Sequence, residues 1–343
     1  MKFAFGHALH PDRPNGLGEF IDLSRLAEEM GFAMVMMGDT PALAGEHFTS
    51  LTLIAQNTSK VRLGSFISNP LMRHPVVATG GIATVDALAN GRAFFGLSSG
   101  DSGVYNLGMK PATQAQLEEY IVTMQSLFDR GEAVFEGQTV RFNWAQRRIP
   151  IYMAPGGPKG LRLAGRIADG VFIESGFQQD AIDDAYAQIA AGAAEAGRSP
   201  DNIEMWWHAR ACFGDDRDDA IEKIQSGILG IGNRLGRFQQ EGKFIPDHIW
   251  PKLQELKRRY DFLHHEEVKG KTGELANAHL LNELGLRDYL ADRFAIVGDV
   301  DQWIERIATL REMGVKNIAF TALMPDKKGF LETMGQHIVP RFS

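Results

Sequence analysis

Residues 61–108 read VRLGSFISNPLMRHPVVATGGIATVDALANGRAFFGLSSGDSGVYNLG. Two strand–loop units stand in tandem in this stretch. Residues 61–67 form a short apolar run that stops at Ser68-Asn69-Pro70, a turn signal. Val76, Val77, Ile82, Val85 and Leu88 then recur at helical spacing, and Asn90-Gly91 ends the pattern. A second apolar run, 92–97, opens into Ser98-Ser99-Gly100-Asp101-Ser102-Gly103. Strand, loop, helix, strand, loop is a βαβ unit, and both loops leave the C-terminal ends of parallel strands. In α/β barrels those ends carry the chemistry.

The alternation continues outward in both directions. Residues 2–8 read as a strand and 17–30 as a helix, with Leu23, Leu26, Ala27 and Met30 on one face and Gly31 as its stop. Residues 33–37 are continuously apolar, as in a strand covered on both faces. Helices are predicted over 48–56 and 114–130. Residues 133–142 alternate around Glu136-Gly137 and read as a hairpin outside the main sheet. Strands at 149–154, 170–173 and 203–213 follow, with helices at 161–167, 180–196 and 218–229 between and after them. From about 230 to 290 the alternation lapses into charged, helix-prone sequence carrying Tyr260, Phe262, His264 and His265. Residues 294–298 lead to Asp299, which with Gln302 makes a capping box for a helix ending at Gly314. Residues 317–323 are the eighth strand, and a last helix ends near Arg341. The pattern predicts a (β/α)8 TIM barrel, a single domain over 1–343 with a helical insertion at about 230–290 between strands seven and eight. No GxGxxG follows the first strand, which argues against a dinucleotide-binding open sheet.

The totals narrow the classes of function. Against 36 Lys and Arg stand 43 Asp and Glu, a net charge of -7. No basic surplus exists to neutralise phosphates, so neither a nucleic acid nor an anionic membrane is an expected partner. Lys257-Arg258-Arg259 reads as a solvated helix face. A single cysteine, Cys212, excludes an internal disulfide framework and reads as a packed core thiol. With no signal-peptide pattern and no membrane-length apolar run, a cytoplasmic location is expected.

Candidate chemistry gathers at the strand ends. Gly156 and Gly157 let backbone approach a ligand, the helix starting near Pro158 points free N–H groups at the loop, and Lys159 adds charge. Phosphate binding and a plain helix-capping turn are evenly matched there. Asp101 among Ser99, Gly100 and Ser102 is a ligand to a ring N–H or sugar hydroxyl, or a turn former. Asp39 after the second strand is a proton-transfer group or a helix cap. His7, Glu174 and His208 are equally two-sided, and Arg73-His74-Pro75 reads as a helix start. His264-His265-Glu266-Glu267 lacks the spacing of a zinc helix, so no metal site is expected.

Three ordered segments carry a family resemblance: residues 68–108, residues 149–176 (IPIYMAPGGPKGLRLAGRIADGVFIESG) and residues 292–320 (DRFAIVGDVDQWIERIATLREMGVKNIAF). Together they resemble the luciferase-like superfamily of flavin- and deazaflavin-dependent oxidoreductases, closest to the branch of methylenetetrahydromethanopterin reductase-like proteins. The resemblance implies a (β/α)8 barrel with an insertion beside its mouth. It implies a cofactor phosphate at the strand-five loop, with Met153, Ala154, Gly156, Gly157, Pro158 and Lys159 against the cofactor. The ring is implied at the end of strand three, lined by Ser65, Phe66, Ile67, Ser68 and Asn69. Several members of the deazaflavin branch carry a non-proline cis peptide there, which the resemblance would place at Phe66-Ile67. Ser99, Gly100, Asp101 and Ser102 are implied to close the ring or ribityl side, with Glu174 and Ser175 also on the cofactor. Luciferase and several monooxygenases place adjacent histidines after strand two; this chain has Asp39-Thr40.

The expected activity is a monooxygenase using reduced FMN on a small organic substrate, with Asp39 and His208 as substrate-side catalytic groups. A separate flavin reductase is the expected supplier, and a homodimer is expected by analogy. The alternative is an F420-dependent reductase or dehydrogenase that passes hydride without oxygen; a non-catalytic flavin-binding protein is the third reading. The acidic polyglutamate tail of F420 finds no obvious basic track in the sequence, which leaves the choice between FMN and F420 open. Specificity is expected from Trp206, Trp207, the hairpin near Phe135 and the 230–290 insertion.

Overall fold

A computed structural model describes residues 1–145, 147–237, 239–261 and 277–343. Phe262, His264, His265, Glu266 and Glu267 lie outside the described residues. The chain divides into two compact units. The N-terminal unit comprises residues 4–172 and 187–205, and the C-terminal unit residues 1–3, 173–186 and 206–343.

The N-terminal unit is built on β1 (Lys2–Gly6), β2 (Met34–Met37), β3 (Arg62–Ser65), β4 (Ala93–Leu97), β7 (Ile151–Met153) and β8 (Gly170–Ile173), with the hairpin β5 (Glu132–Phe135) and β6 (Gln138–Arg141) beside them. The six strands pair in parallel in the order β1-β2-β3-β4-β7-β8. Their registers set Met37 opposite Ser65 and Leu63 opposite Ala93. Every residue of β2, β4 and β8 is buried. That is the demand of parallel strands covered on both faces, and it is why their sequences (MVMM, AFFGL, GVFI) run apolar without alternating. Helices Gly16–Glu29, His47–Asn57, Pro75–Leu88, Gln114–Arg130 and Pro158–Ile167 separate the strands. Thr113 and Gln116 form a capping box at the start of the helix Gln114–Arg130. The hairpin turns at Glu136 and Gly137, both with positive φ (48° and 73°), the type I′ geometry that suits strand twist.

The C-terminal unit holds β9 (Glu204–Phe213), β10 (Ala295–Gly298) and β11 (Asn317–Thr321), where β9 pairs in parallel with both others. Its core stacks Phe213 on Trp303 at 4.2 Å, and the indole N–H of Trp303 donates to the Cys212 carbonyl at 3.2 Å. Cys212 is a buried core thiol, pushed up to about 11 by burial. Capping at the helix Val300–Glu312 uses Asp299 and Gln302 as expected.

Parallel strands alternating with helices give the (β/α)8 barrel class. Two expectations need correction. The predicted helix 218–229 is two helices, Arg217–Lys223 and Gln225–Leu235, broken where Ile224 leaves helical geometry (φ -121°, ψ 18°). Residues 295–298 add a strand beyond the eight predicted: Gly298 at φ 127° ends it beside the capping box. After the helix Gln225–Leu235 the 230–290 stretch runs irregularly over 239–249 and then carries the helices Trp250–Arg259, His279–Glu283 and Arg287–Phe294. Among the described residues no helix is long and apolar enough to cross a membrane.

Candidate active site

In the N-terminal unit the end of β3 departs from the strand, and the peptide bond Phe66-Ile67 is cis, at the position the resemblance implied. Main-chain bonds hold this bulge on both sides. Phe66 N–H donates to Met37 O at 2.7 Å, Ser68 N–H to Gly96 O at 3.0 Å, and Ser98 N–H to Ser68 O at 3.0 Å. Gly96 must be glycine, because a Cβ there would lie 2.2 Å from Ser65 O. Asn69 closes a local turn by accepting from Leu71 N–H at 3.0 Å, the ordinary use of Asn in loops. The ring of Phe66 meets Phe172 edge-on at 4.7 Å.

Asp39, 3% exposed, sits behind the bulge. Its Oδ2 accepts from Ser68 Oγ–H at 2.6 Å and from Arg73 Nη1 at 2.5 Å. Arg73 also donates to Glu46 at 3.0 Å, lies 5.0 Å from the Phe48 ring centroid, and its carbonyl accepts from the Tyr120 hydroxyl at 3.0 Å. One side chain thus ties the loops after β2 and β3 together. His47 braces the same place: Nε2 is 2.8 Å from Ser65 Oγ and Nδ1 3.3 Å from Gly38 O. Burial holds His47 below its usual pKa against the opposing field of Asp39, so it is neutral near pH 7. The ring therefore donates Nδ1–H to Gly38 O and accepts at Nε2 from the Ser65 hydroxyl.

The next loop places Ser99, Gly100, Asp101 and Ser102 at the end of β4. Gly100 has φ 105°, and a Cβ would meet Val104 at 2.4 Å. Asp101 precedes the short helix Ser102–Tyr105 but makes no side-chain cap, and its carbonyl accepts from Val104 N–H at 2.8 Å. Past β7, Met153 and Ala154 lead into Gly156 and Gly157. A Cβ on either glycine meets nothing within 4 Å. Gly157 is the N-cap of the helix Pro158–Ile167 and offers its first-turn N–H groups no side chain. Uncapped donors at a helix start beside open space fit an anionic group, with Lys159 in that first turn. His74 and Pro75 start the helix Pro75–Leu88 as read, His74 accepting from Val76 N–H at 3.2 Å. His7 is packed in the core, stacked on Phe20 at 4.4 Å and 3.0 Å from Ser24 Oγ.

The C-terminal unit carries a second cluster. His208 Nδ1 lies 2.6 Å from Glu174 Oε1 and Nε2 2.7 Å from Thr321 Oγ1. Arg234 grips the same carboxylate twice, Nε to Oε2 at 2.9 Å and Nη2 to Oε1 at 3.0 Å. Burial alone would raise the Glu174 carboxyl, but Arg234 and the His208 hydrogen bond outweigh it and hold it far below the carboxylate range. Burial lowers His208, and the pull of Glu174 only partly offsets this. Glu174 is thus committed to Arg234 and His208, and the Ser175 carbonyl to Arg293 at 2.8 Å. Trp206 and Trp207 do not serve specificity as expected. Both are wholly buried, Trp207 packed against Tyr186 at 5.3 Å, so neither offers accessible surface to a substrate.

Arg73, His47, Arg234 and Thr321 were not legible as site residues. Arg234 had a signal: it is the one cation in the apolar helix Gln225–Leu235 (QSGILGIGNRL). Among the described residues no group of three His, Cys, Asp or Glu side chains is placed to hold a metal.

Residues 1–317 match the family of luciferase-like monooxygenases, and the chain belongs to that family. It is a luciferase-like oxidoreductase. The 5,10-methylenetetrahydromethanopterin reductase of Methanopyrus kandleri is 30% identical over 380 residues, covering 99% of both chains. An F420-dependent glucose-6-phosphate dehydrogenase of Microbacterium testaceum is 27% identical, over 99% of this chain and 97% of its own. Among solved structures, the coenzyme F420-dependent tetrahydromethanopterin reductase from Methanopyrus kandleri superposes with a TM-score of 0.74 at 27% identity, covering 100% of each chain.

Proposed function

We propose that the chain is an F420-dependent oxidoreductase that transfers hydride without oxygen. The observation that carries this reading is full-length similarity, at 27–30% identity, to a reductase whose structure is described as F420-dependent. The expected FMN monooxygenase has weaker support. A long-chain alkane monooxygenase among the structural neighbours shares 17% identity and speaks for the fold alone.

The bound deazaflavin supplies a two-electron hydride acceptor or donor. The chain's own residues do the rest. Gly156, Gly157 and the first turn after Pro158 would hold the phosphate, with Met153 and Ala154 leading in. Ser65, Phe66, Ile67, Ser68 and Asn69 would floor the ring, and Ser99, Gly100, Asp101 and Ser102 would flank it. Asp39, whose Oδ2 accepts from Arg73 and Ser68, would anchor that floor.

Calorimetric titration of the full chain with F420 and with FMN, each oxidised and reduced, tests the reading. F420 should bind more tightly than either form of FMN, and Gly157→Asp should weaken it at least tenfold. The Gly157 Cβ direction is open, so the variant folds and the loss reports charge at the phosphate. Tight binding of reduced FMN with F420 ignored would overturn it.

A further inference from the structure

The stretch at the end of β3 that would floor the ring hangs from two serine hydroxyls, both inside the N-terminal unit. On its far side Ser68 Oγ–H donates to Asp39 Oδ2 at 2.6 Å. On its near side Ser65 Oγ lies 2.8 Å from His47 Nε2, and the other ring nitrogen of His47 lies 3.3 Å from Gly38 O. His47 thus closes a path from the end of β2 to the last residue of β3. Ser65 is 0% and His47 1% exposed, and among the described residues the Ser65 hydroxyl has no second hydrogen-bond partner. The charged groups facing the imidazole are Asp39 after β2, Glu46 at the N-cap of its own helix and Arg73 after β3. Both carboxylates are bonded to Arg73, and the rings of Phe48 and Phe95 pack on the imidazole at 5.2 and 6.3 Å. A proton added at Nε2 would point an N–H at the Ser65 O–H in a place closed to solvent. Ser65 would have to turn its hydrogen away from the acceptor that holds it, and a buried hydroxyl without an acceptor is costly.

We propose that His47 is a positioning residue for the cofactor: its neutral imidazole holds Ser65, and with it the floor, so the deazaflavin ring binds only the chain unprotonated at His47. The inference rests on the deazaflavin reading above. His47 does not meet the cofactor and acts through Ser65. Burial holds its pKa below the ordinary value of 6.5, so near pH 7.5 the floor is fully set and affinity is constant. As pH falls through the native value of His47, binding must first expel a proton, and Kd rises toward about tenfold per pH unit. The bound cofactor in turn makes His47 harder to protonate. Ser68 takes no part in this change, so one flank of the floor is freed while the other stays fastened.

The full chain is titrated with oxidised F420, followed by deazaflavin fluorescence, from pH 8 down to the lowest pH at which far-UV circular dichroism stays native. His47→Gln places an amide oxygen where Nε2 stood; it accepts from Ser65 and takes no proton. At pH 7.5 this variant should bind within about twofold of wild type, whereas His47→Leu and Ser65→Ala should each weaken binding about fivefold. Below pH 6.5 the wild-type Kd divided by the His47→Gln Kd, a ratio that cancels titration of the ligand, should climb. Nitrogen-15 NMR of the wild type should show the titration midpoint of His47 moving down when F420 is added. A brace that served only the fold would leave both readouts still. A flat ratio, or a midpoint unmoved by F420, overturns the proposal, as does wild-type affinity in Ser65→Ala at pH 7.5. Failure of the wild type to bind F420 at pH 7.5 removes the deazaflavin reading instead.

Discussion

Replacing Arg73 by methionine should cost the fold about 4 kcal/mol. The partner it abandons, Asp39, has a side chain 1% exposed and accepts from Arg73 at 2.5 Å. Breaking a buried ion pair from one side costs roughly 3–5 kcal/mol, because a charge is left without solvent or partner. The Arg73 side chain is 16% exposed, so water screens part of the attraction and the lower end applies. The pair with Glu46, whose side chain is 52% exposed, adds only about 0.5 kcal/mol. The contact with the Phe48 ring adds a similar amount, about 0.5 kcal/mol. Methionine keeps the length of the stem, so the loss is of charge rather than packing. Asp39→Asn in the same background removes the orphan charge and should recover about half the cost. Urea unfolding of the wild type, both single variants and the double variant closes a double-mutant cycle. The expected coupling is about 2 kcal/mol. Strictly additive costs, with coupling under about 0.5 kcal/mol, would show that the pair does not organise the loops after β2 and β3.

Two further outcomes can be measured on the same protein. Gly96→Ala should destabilise severely or fail to fold, because its Cβ would lie 2.2 Å from Ser65 O and backbone cannot yield; Gly108→Ala, with φ 71° but nothing within 4 Å, should cost only about 1 kcal/mol, and equal melting losses would refute the distinction. Stability should fall as pH drops from 7.5 to 5: His47 and His208 have native pKa values below the unfolded value of about 6.5, the unfolded chain binds the extra protons, and their contribution is complete only above that pH. A melting temperature flat across this range would contradict the buried neutral state of both rings.

Much of the fold was legible because parallel strands buried on both faces must be apolar throughout. MVMM and AFFGL have no other reading once Gly38 and Ser98 stop them. The break at Ile224 was hidden, since Ala220, Ile221 and Ile228 keep a helical spacing across it. Short AIVG escaped as a strand because it runs straight out of the helix Arg287–Phe294. In the candidate site, Gly156 and Gly157 announced the open loop before the helix Pro158–Ile167, as backbone approach needs no partner elsewhere in the chain. The polar clusters are different in kind. Asp39 and Arg73 are 34 residues apart, and His208 meets Glu174 and Thr321 from 34 and 113 residues away. Each of these residues had a sound local explanation as a cap or strand end, and only tertiary placement separates that from a shared role. The missing basic track left the cofactor open, because it is a property of overall charge that says little about one loop.

The floor at the end of β3 is fastened through the amides of Phe66, Ser68 and Ser98, so its path is written in the main chain. Of the side chains at 66–69, Ile67 is the freest to vary, since Phe66 packs on Phe172, Ser68 bonds Asp39 and Asn69 closes the turn to Leu71. A lineage could change the side chain at Ile67 on this ledge and keep the ledge itself. The scaffold would tolerate such drift, while Gly96 beneath it would not, so substitutions among descendants should crowd onto Ile67 and avoid Gly96.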